Sequence, residues 1–286
     1  MASGNMKDIK RRIKSVSSTR QITKAMELVA SSKLRKAKQR SENGRPYFEA
    51  QYELLAKIAS VKKDFSTIFT EPREIRSRLF IVIAGDRGLA GGFNSNIIKA
   101  VTAAHANDPE KPKIIAIGRK AVDYFDKHGY EMVGRYPYFA EKAKTADSMD
   151  IAQLAVDLFA VGEVDEVMLF YTAFVSPLVQ TPESAKLLPI NNIGEGTGED
   201  LGLINYDPSP EAVFDRVVPK FVMSMVSCAA VESFASEQGA RRTAMESATD
   251  NADEMISNLS LLYNRARQEK ITNEITEIVS GANALN

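Results

Sequence analysis

Two stretches at opposite ends of the chain carry apolar residues at helical spacing with no proline in their interiors. One runs from about Ser3 to Gly44 and the other from about Lys220 to Leu285. A lone helix cannot hide an apolar stripe from water, so each arm needs a partner, and the nearest one available is the other arm. A paired arm of that length is expected to project from the globular part. A projecting rod suits mechanical work or binding better than it suits an active site.

The spacing gives more detail. In the first arm Ile9, Ile13 and Val16 are separated by 4 and 3, and Ile22, Met26 and Val29 repeat those steps. Between Val16 and Ile22 the stripe changes phase, as a coiled-coil discontinuity does. Gly44-Arg45-Pro46 is expected to end the helix, with a second piece over residues 47–61. The last helix has a clear start, with Ser209 as N-cap, Pro210 at the first helical position and Glu211 in the first turn. Pro219 is expected to bend it. Beyond Pro219, roughly 65 residues at about 1.5 Å each make a rod near ~100 Å. Its seam reads Ala240, Ala244, Ala248, Ala252, Met255, Leu259, Leu262 and Ala266. After a phase slip, Ile271, Ile275, Ile278, Ala282 and Leu285 form a second seam. Small seam residues let a partner approach closely and make a thin, stiff shaft.

The middle of the chain is different. The apolar runs 79–84 and 113–117 read as strands buried on both faces, and 166–171 as a further strand. Helices are predicted from about Asn94, over 119–128 and over 148–161. Strands alternating with helices imply a mainly parallel sheet covered by helices, with 179–188 as a late edge strand. The polar, glycine-rich run 191–200 reads as a linker.

The segment Gly85-Asp86-Arg87-Gly88-Leu89-Ala90-Gly91-Gly92-Phe93-Asn94 lies between a strand and a helix, where a phosphate loop would sit. It lacks the Lys-Ser/Thr pair of a nucleotide loop. The next strand ends in Gly118-Arg119 rather than in the acidic residue a dinucleotide site needs. The glycines are therefore read as serving a tight structural turn.

Composition narrows the chemistry. Formal net charge is +0, yet residues 1–40 hold twelve Lys/Arg against Asp8 and Glu27. Such a helix suits nucleic acid, an anionic membrane or an acidic protein partner, or is simply a solvated face beside an acidic arm. The first aromatic residue is Tyr47, so no rings are interleaved to stack bases, and nucleic acid is not expected. Cys228 stands alone, and His105 and His128 are the only histidines, expected at polar helix ends. No metal, cofactor or catalytic triad is expected, and the carboxylates of the last helix (Asp250, Asp253, Glu254, Glu274, Glu277) are expected on exposed faces. No apolar run reads as a membrane span, and the basic start lacks the features of a signal peptide. The chain reads as a protein of the cytoplasmic side.

Three segments together carry a resemblance. Residues 20–37, RQITKAMELVASSKLRKA, residues 83–96, IAGDRGLAGGFNSN, and the tail from SEQGARRTAMESATDNADEMI through LSLLYNRARQEKITNEITEIVSGANAL resemble the gamma subunits of F-type ATP synthases. The likeness spans the whole chain in order. It implies an α/β fold class: a long antiparallel coiled coil of the N- and C-terminal helices (1–75 and 209–286) plus a central Rossmann-like domain with a mainly parallel sheet (76–208). It further implies a non-catalytic rotor turning inside a hexamer of alternating alpha and beta subunits, with the epsilon subunit and the membrane c-ring at its foot. No cofactor, no nucleic acid and no membrane contact except through the c-ring would be involved.

By the same resemblance Arg267 and Gln268, with Thr272 and Glu274 one turn on, match the region that catches the beta subunits. Lys24, Met26, Glu237 and Arg241 match its collar. Tyr206 and Asp207 match the foot near the c-ring, and Ala282, Ala284 and Leu285 match the apolar tip. The redox insert of plant-type relatives has no counterpart here, which implies a bacterial chain peripheral to the cell membrane on its cytoplasmic side. The rival reading is a stand-alone nucleotide-binding α/β enzyme with a coiled-coil arm.

Overall fold

A computed structural model describes residues 2–60, 65–106, 108–190 and 206–283. Helix α1 spans Ala2–Ala59 and helix α6 spans Pro210–Asn283. Between them come β1 (Arg78–Ile83), α2 (Phe93–Ala104), β2 (Lys113–Ile117), α3 (Arg119–Lys127), β3 (Met132–Tyr136), α4 (Phe139–Lys142), α5 (Thr145–Ala160), β4 (Glu166–Phe174) and β5 (Gln180–Leu188). The chain forms two compact units. One consists of Met1–Ala30 with Arg242–Asn286, the other of Ser31–Arg241.

The larger unit is built on a sheet of order β3-β2-β1-β4-β5. Strands β3, β2, β1 and β4 are parallel, and β5 runs antiparallel along one edge. The apolar run 79–83 is buried throughout because alternate side chains enter different cores. Leu79, Ile81 and Ile83 pack with Ile151 and Phe159 of α5 and with Phe214, Val218 and Val222 of α6. Phe80 and Val82 pack with Ile97 and Val101 of α2 and with Phe125 of α3 on the opposite face. The mainly parallel sheet and the strand at 113–117 match the sequence reading. Strand β3 and the short α4 were not anticipated: MVGRY is half-polar and interrupted by glycine, so it carries no strand pattern of its own. Its partner β2 supplies the register.

His105 and His128 are the C-caps of α2 and α3, as the composition suggested. Their Nδ1 atoms lie 2.8 and 2.7 Å from the Val101 and Tyr124 carbonyls one turn back. Ser209 caps α6, its Oγ accepting from the Ala212 N–H at 3.2 Å. The expected linker at 191–200 lies outside the described residues.

Three readings of the arms are corrected. First, α1 does not break at Gly44-Arg45-Pro46 but continues through Pro46 to Ala59. Proline removes the N–H that Glu42 would have received, a local cost. The turns that follow bury Phe48, Gln51, Leu55 and Ile58, and this packing outweighs it. Helix α6 likewise continues through Pro219.

Second, the α1 stripe never changes phase. The less exposed positions run Ile13, Val16, Arg20, Thr23, Glu27 and Ala30, an unbroken alternation of 3 and 4. Ile22 and Val29 are instead 60% and 57% exposed. Polar residues occupy seam positions here, so following only the apolar letters shifted the phase.

Third, the α6 seam is Met245, Thr249, Ala252, Ile256, Leu259, Tyr263, Ala266 and Lys270, again in steps of 4 and 3. Ala252, Leu259 and Ala266 were placed correctly, whereas Met255 and Leu262 face outward. The second seam is not covered: Ile271, Ile275 and Ile278 are exposed, like every residue from 271 to 280. The reason is register. Arg20 pairs with Asp253, and the Thr23 and Thr249 hydroxyls meet at 2.8 Å, so the helices are antiparallel. Continued at that register, α1 begins level with residues 270–271 of α6, and the stretch beyond has no helix to lie on.

One 18-residue window of α6 reaches a mean hydropathy of 1.4, which the sequence reading had not credited with spanning length and composition. Half of that window is buried inside the protein.

Two glycines give opposite predictions. Gly118 has φ +90°, and an added Cβ would fall 2.0 Å from the Ala84 carbonyl oxygen. Gly118→Ala is expected to cost about 3 kcal/mol or more in urea unfolding. A Cβ at Gly44 would meet no atom within 4 Å. Gly44→Ala is expected to raise stability by about 1 kcal/mol, the helix-interior difference between the two residues.

Candidate functional site

In the sheet unit the strand order reverses between β1 and β4, because β2 and β3 lie on one side of β1 and β4 on the other. In an open α/β sheet, the crevice beyond the carboxyl ends of two such strands is where a ligand binds. Here helix α6 occupies that position with a row of buried polar side chains. Thr172 N–H, near the end of β4, donates to Ser233 Oγ at 3.0 Å, and Ser236 Oγ donates to the Thr172 carbonyl at 3.0 Å. The Phe174 N–H donates to Glu232 Oε1 at 3.1 Å. Backbone groups that would face a ligand are thus satisfied from within the chain.

The glycine turn after β1 closes on the same helix. Gly85 lies so near Glu237 that an added Cβ would stand 2.9 Å from the Glu237 Cδ and would force that buried side chain to shift. Asn94 Oδ1 accepts from the Gly85 N–H at 2.8 Å, and its Nδ2 donates to the Arg87 carbonyl at 3.2 Å. Asp86 Oδ1 accepts from the Arg119 N–H at 2.9 Å, at the start of α3, and from the Tyr138 N–H at 2.8 Å. The Asp86 carboxylate thus takes up the N-terminus of α3, an anion-favouring position. The turn is structural, as its spelling suggested.

Glu237 and Arg241 stand one helical turn apart beneath this turn, 5% and 8% exposed. Arg241 Nη2 donates to Glu237 Oε1 at 2.6 Å and to the Gly88 carbonyl at 3.1 Å. Burial pushes the Glu237 carboxyl above the usual carboxylate range, and Arg241 holds it back. The two side chains therefore serve inside the unit, tying the glycine turn to α6. Tyr206 is half-buried against the core beside α6, and Asp207 is exposed.

The helix-pair unit carries the remaining sites. Lys24 is exposed and its Nζ lies 2.9 Å from Glu27, while Met26 is half-buried. Arg267, Gln268, Thr272 and Glu274 are all exposed, and Glu274 lies 3.5 Å from Lys270. Ala282 falls in the last turn of α6, and Ala284 and Leu285 lie outside the described residues. Sequence reasoning missed Arg20, Thr23, Thr249 and Asp253, the polar layer of the pair. Thr23 and Thr249 are seven residues from seam positions of the same phase, Ala30 and Ile256, which is the signal that could have found them.

The sequence profile described as ATP synthase matches residues 5–285. The chain belongs to the ATP synthase gamma-chain family. It is 52% identical over 281 residues to the ATP synthase gamma chain of Ruminococcus albus, covering 97% of this chain and 98% of that one. To the sodium-ion-specific gamma chain of Acetobacterium woodii it is 44% identical over 300 residues, covering 99% of both. Among solved structures it is similar to a central-stalk chain of the Tetrahymena thermophila mitochondrial ATP synthase, with TM-score 0.63 and 25% identity over 79% of this chain and 99% of that one. The fold is also that of a chain of the Euglena gracilis mitochondrial enzyme, at TM-score 0.71 and 19% identity over 99% of this chain and 95% of that one. Gamma chains are non-catalytic subunits, which fits a crevice filled by the chain's own helix.

Two predictions follow the buried charges. Arg241→Ala leaves Glu237 buried without its partner and is expected to cost about 3–5 kcal/mol in urea unfolding. Replacing both, as Glu237→Leu with Arg241→Met, is expected to recover most of that loss. Glu232 is raised by burial, against the lowering effect of the Phe174 N–H, with Glu183 adding to the rise. A carboxyl raised in the folded state contributes stability below its unfolded pKa and loses it as pH rises through the folded value. Glu232→Gln keeps an oxygen for Phe174, so its stability relative to the parent is expected to improve between pH 4.5 and 7. Denaturation midpoints across that range measure it.

Proposed function

We propose that this chain is the rotor of a bacterial F-type ATP synthase, turning inside the alpha/beta hexamer and bound at its foot to the epsilon subunit and the c-ring. It would lie on the cytoplasmic side of the cell membrane, touching the bilayer only through the ring. The observation that carries this reading is the family match along nearly the whole chain, over residues 5–285. Ion flow through the ring turns the helix pair, and its changing face drives the beta subunits through opening, binding and release.

The chemistry of the pair supports this work. Arg267, Gln268, Thr272 and Glu274 offer exposed charged and polar groups that acidic or polar beta-subunit loops can engage. Lys24 and Met26 join them from α1. Glu237 and Arg241 contribute to the collar indirectly, by fixing the glycine turn whose Arg87 and Leu89 are exposed. Tyr206 and Asp207 form part of the foot, and Ala282, Ala284 and Leu285 the tip. The rival reading, a stand-alone nucleotide enzyme, has to place its ligand where Glu232, Ser233, Ser236 and Glu237 already lie.

Reconstitution with alpha and beta subunits tests the proposal. The double substitution Arg267→Ala, Gln268→Ala removes one charged and one polar contact, about 1–3 kcal/mol together. Rotation-coupled ATP hydrolysis is expected to fall roughly tenfold, at about 1.4 kcal/mol per decade, with assembly preserved. Unchanged hydrolysis would remove these residues from the catch. Saturable micromolar ATP binding by the isolated chain would favour the rival.

A further inference from the structure

Within the sheet unit, the seam of α1 has a gap. The alternation of 3 and 4 between Ala37 and Gln51 runs through Ser41, which is exposed, and the half-buried Gly44 and Phe48. Ser41 and Gly44 are too small to reach α6, and α6 answers with Ser224, Ser227 and Cys228. A cavity of about 370 Å³ opens between them, bounded by Ala143 and Thr145 at the start of α5. That volume falls in the range of roughly 300–1,000 Å³ typical of small-molecule pockets.

The gap is held open on both sides along α1. Before it, Leu34 and Ala37 pack with Ala235. After it, the Phe48 and Phe221 rings stack with centroids 6.2 Å apart. Its walls are fixed as well. Ser224 Oγ donates to Gln51 Oε1, and the Ser227 and Ser148 hydroxyls meet at 2.9 Å. The void is therefore a shaped one, with helices that cannot simply close over it.

Its chemistry selects a ligand. Among the described residues, Arg40 is the one charged side chain in the wall, and no carboxylate of theirs lines it. The guanidinium donates to the carbonyl oxygens of Glu141, at 2.9 Å, and Lys142, so its charge is met by dipoles and not by an acid. The Glu141 carboxylate is taken by Lys33 at 2.6 Å. Two of the five guanidinium donors are thereby used, and the rest remain for an anion. Met223, Val231 and the bare Gly44 backbone form the apolar part.

We propose that this cavity binds a compact apolar monoanion, of the size and chemistry of an aromatic carboxylate, with its anionic group on Arg40 and its ring seated at Gly44. The bound ring bridges the two packed regions of the seam and braces α1 against α6.

Cys228 lies in the wall and reports occupancy. The full-length chain is treated with N-ethylmaleimide, with and without 2-naphthoate, and Cys228 modification is followed by mass spectrometry. The expected result is labelling of the free chain, slowed at least tenfold and saturably by 2-naphthoate, together with a rise in the thermal midpoint. Arg40→Gln is expected to raise the concentration for half-protection about tenfold. Gly44→Leu fills the gap and is expected to abolish protection by naphthoate while helical circular dichroism is retained. If Gly44→Leu does not fold, the Arg40→Gln comparison decides alone. Failure of Cys228 to label, absence of protection, equal protection by uncharged 2-naphthalenemethanol, or protection unaltered in the folded variants would each overturn the proposal.

Discussion

The position of helix α6 across the carboxyl ends of β1 and β4 is the constraint on which the sheet unit rests. A doubly wound sheet normally leaves that place to a ligand, and its glycine turn and helix N-termini are normally free to receive one. Here Glu232, Ser233 and Ser236 satisfy the end of β4, and Asp86 holds the start of α3. The Glu237–Arg241 pair then makes the arrangement intolerant of half-measures. A buried ion pair adds little net stability over an apolar pair, but removing one member leaves a charge with no water and no partner. The fold is thus committed to carrying the helix where a nucleotide would lie.

The helix pair follows a different rule. Its seam keeps one heptad phase, and in that phase it admits polar residues. The Thr23–Thr249 contact and the Arg20–Asp253 pair break the monotony of small apolar positions. Each threonine hydroxyl also bonds within its own helix, but sliding one helix by a heptad would break the Thr23–Thr249 contact and the Arg20–Asp253 pair, a penalty that an all-apolar seam would not impose. Resistance to sliding is what a pair needs if twist applied to one helix is to reach the other.

How much of this was legible in the sequence varied with the kind of signal. The buried strands at 79–83 and 113–117, the Ser209 cap and the glycine turn were legible because each rests on local chemistry. The parallel sheet followed from alternation. The phase of the seams was not legible, because Arg20, Thr23, Thr249 and Lys270 sit at inward positions that only a partner helix can define. Ile22, Val29, Met255 and Leu262 drew the stripe outward for the same reason. Pro46 was misjudged because a local cost was read without the burial of Phe48, Leu55 and Ile58 that offsets it. Of the candidate site residues, the exposed ones were proposed only through resemblance, since an exposed arginine on a helix has no distinguishing pattern. The burial of Glu237 and Arg241 depends on contacts with Gly85 and Gly88, some 150 residues earlier in the chain.

The separation between partners also bears on how the chain is made. Thr23 waits for Thr249, and Arg20 for Asp253, so the first helix is synthesised more than two hundred residues before its mate. At a synthesis rate of roughly 5–20 residues per second, that is a delay of ten seconds or more during which an apolar stripe stands uncovered. Contacts so distant in sequence form late. Against that delay the helix carries twelve lysines and arginines in its first forty residues. Like charges of that density repel one another and favour the solubility of an uncovered helix. The basic surface of α1 thus opposes self-association of a helix whose partner is made last.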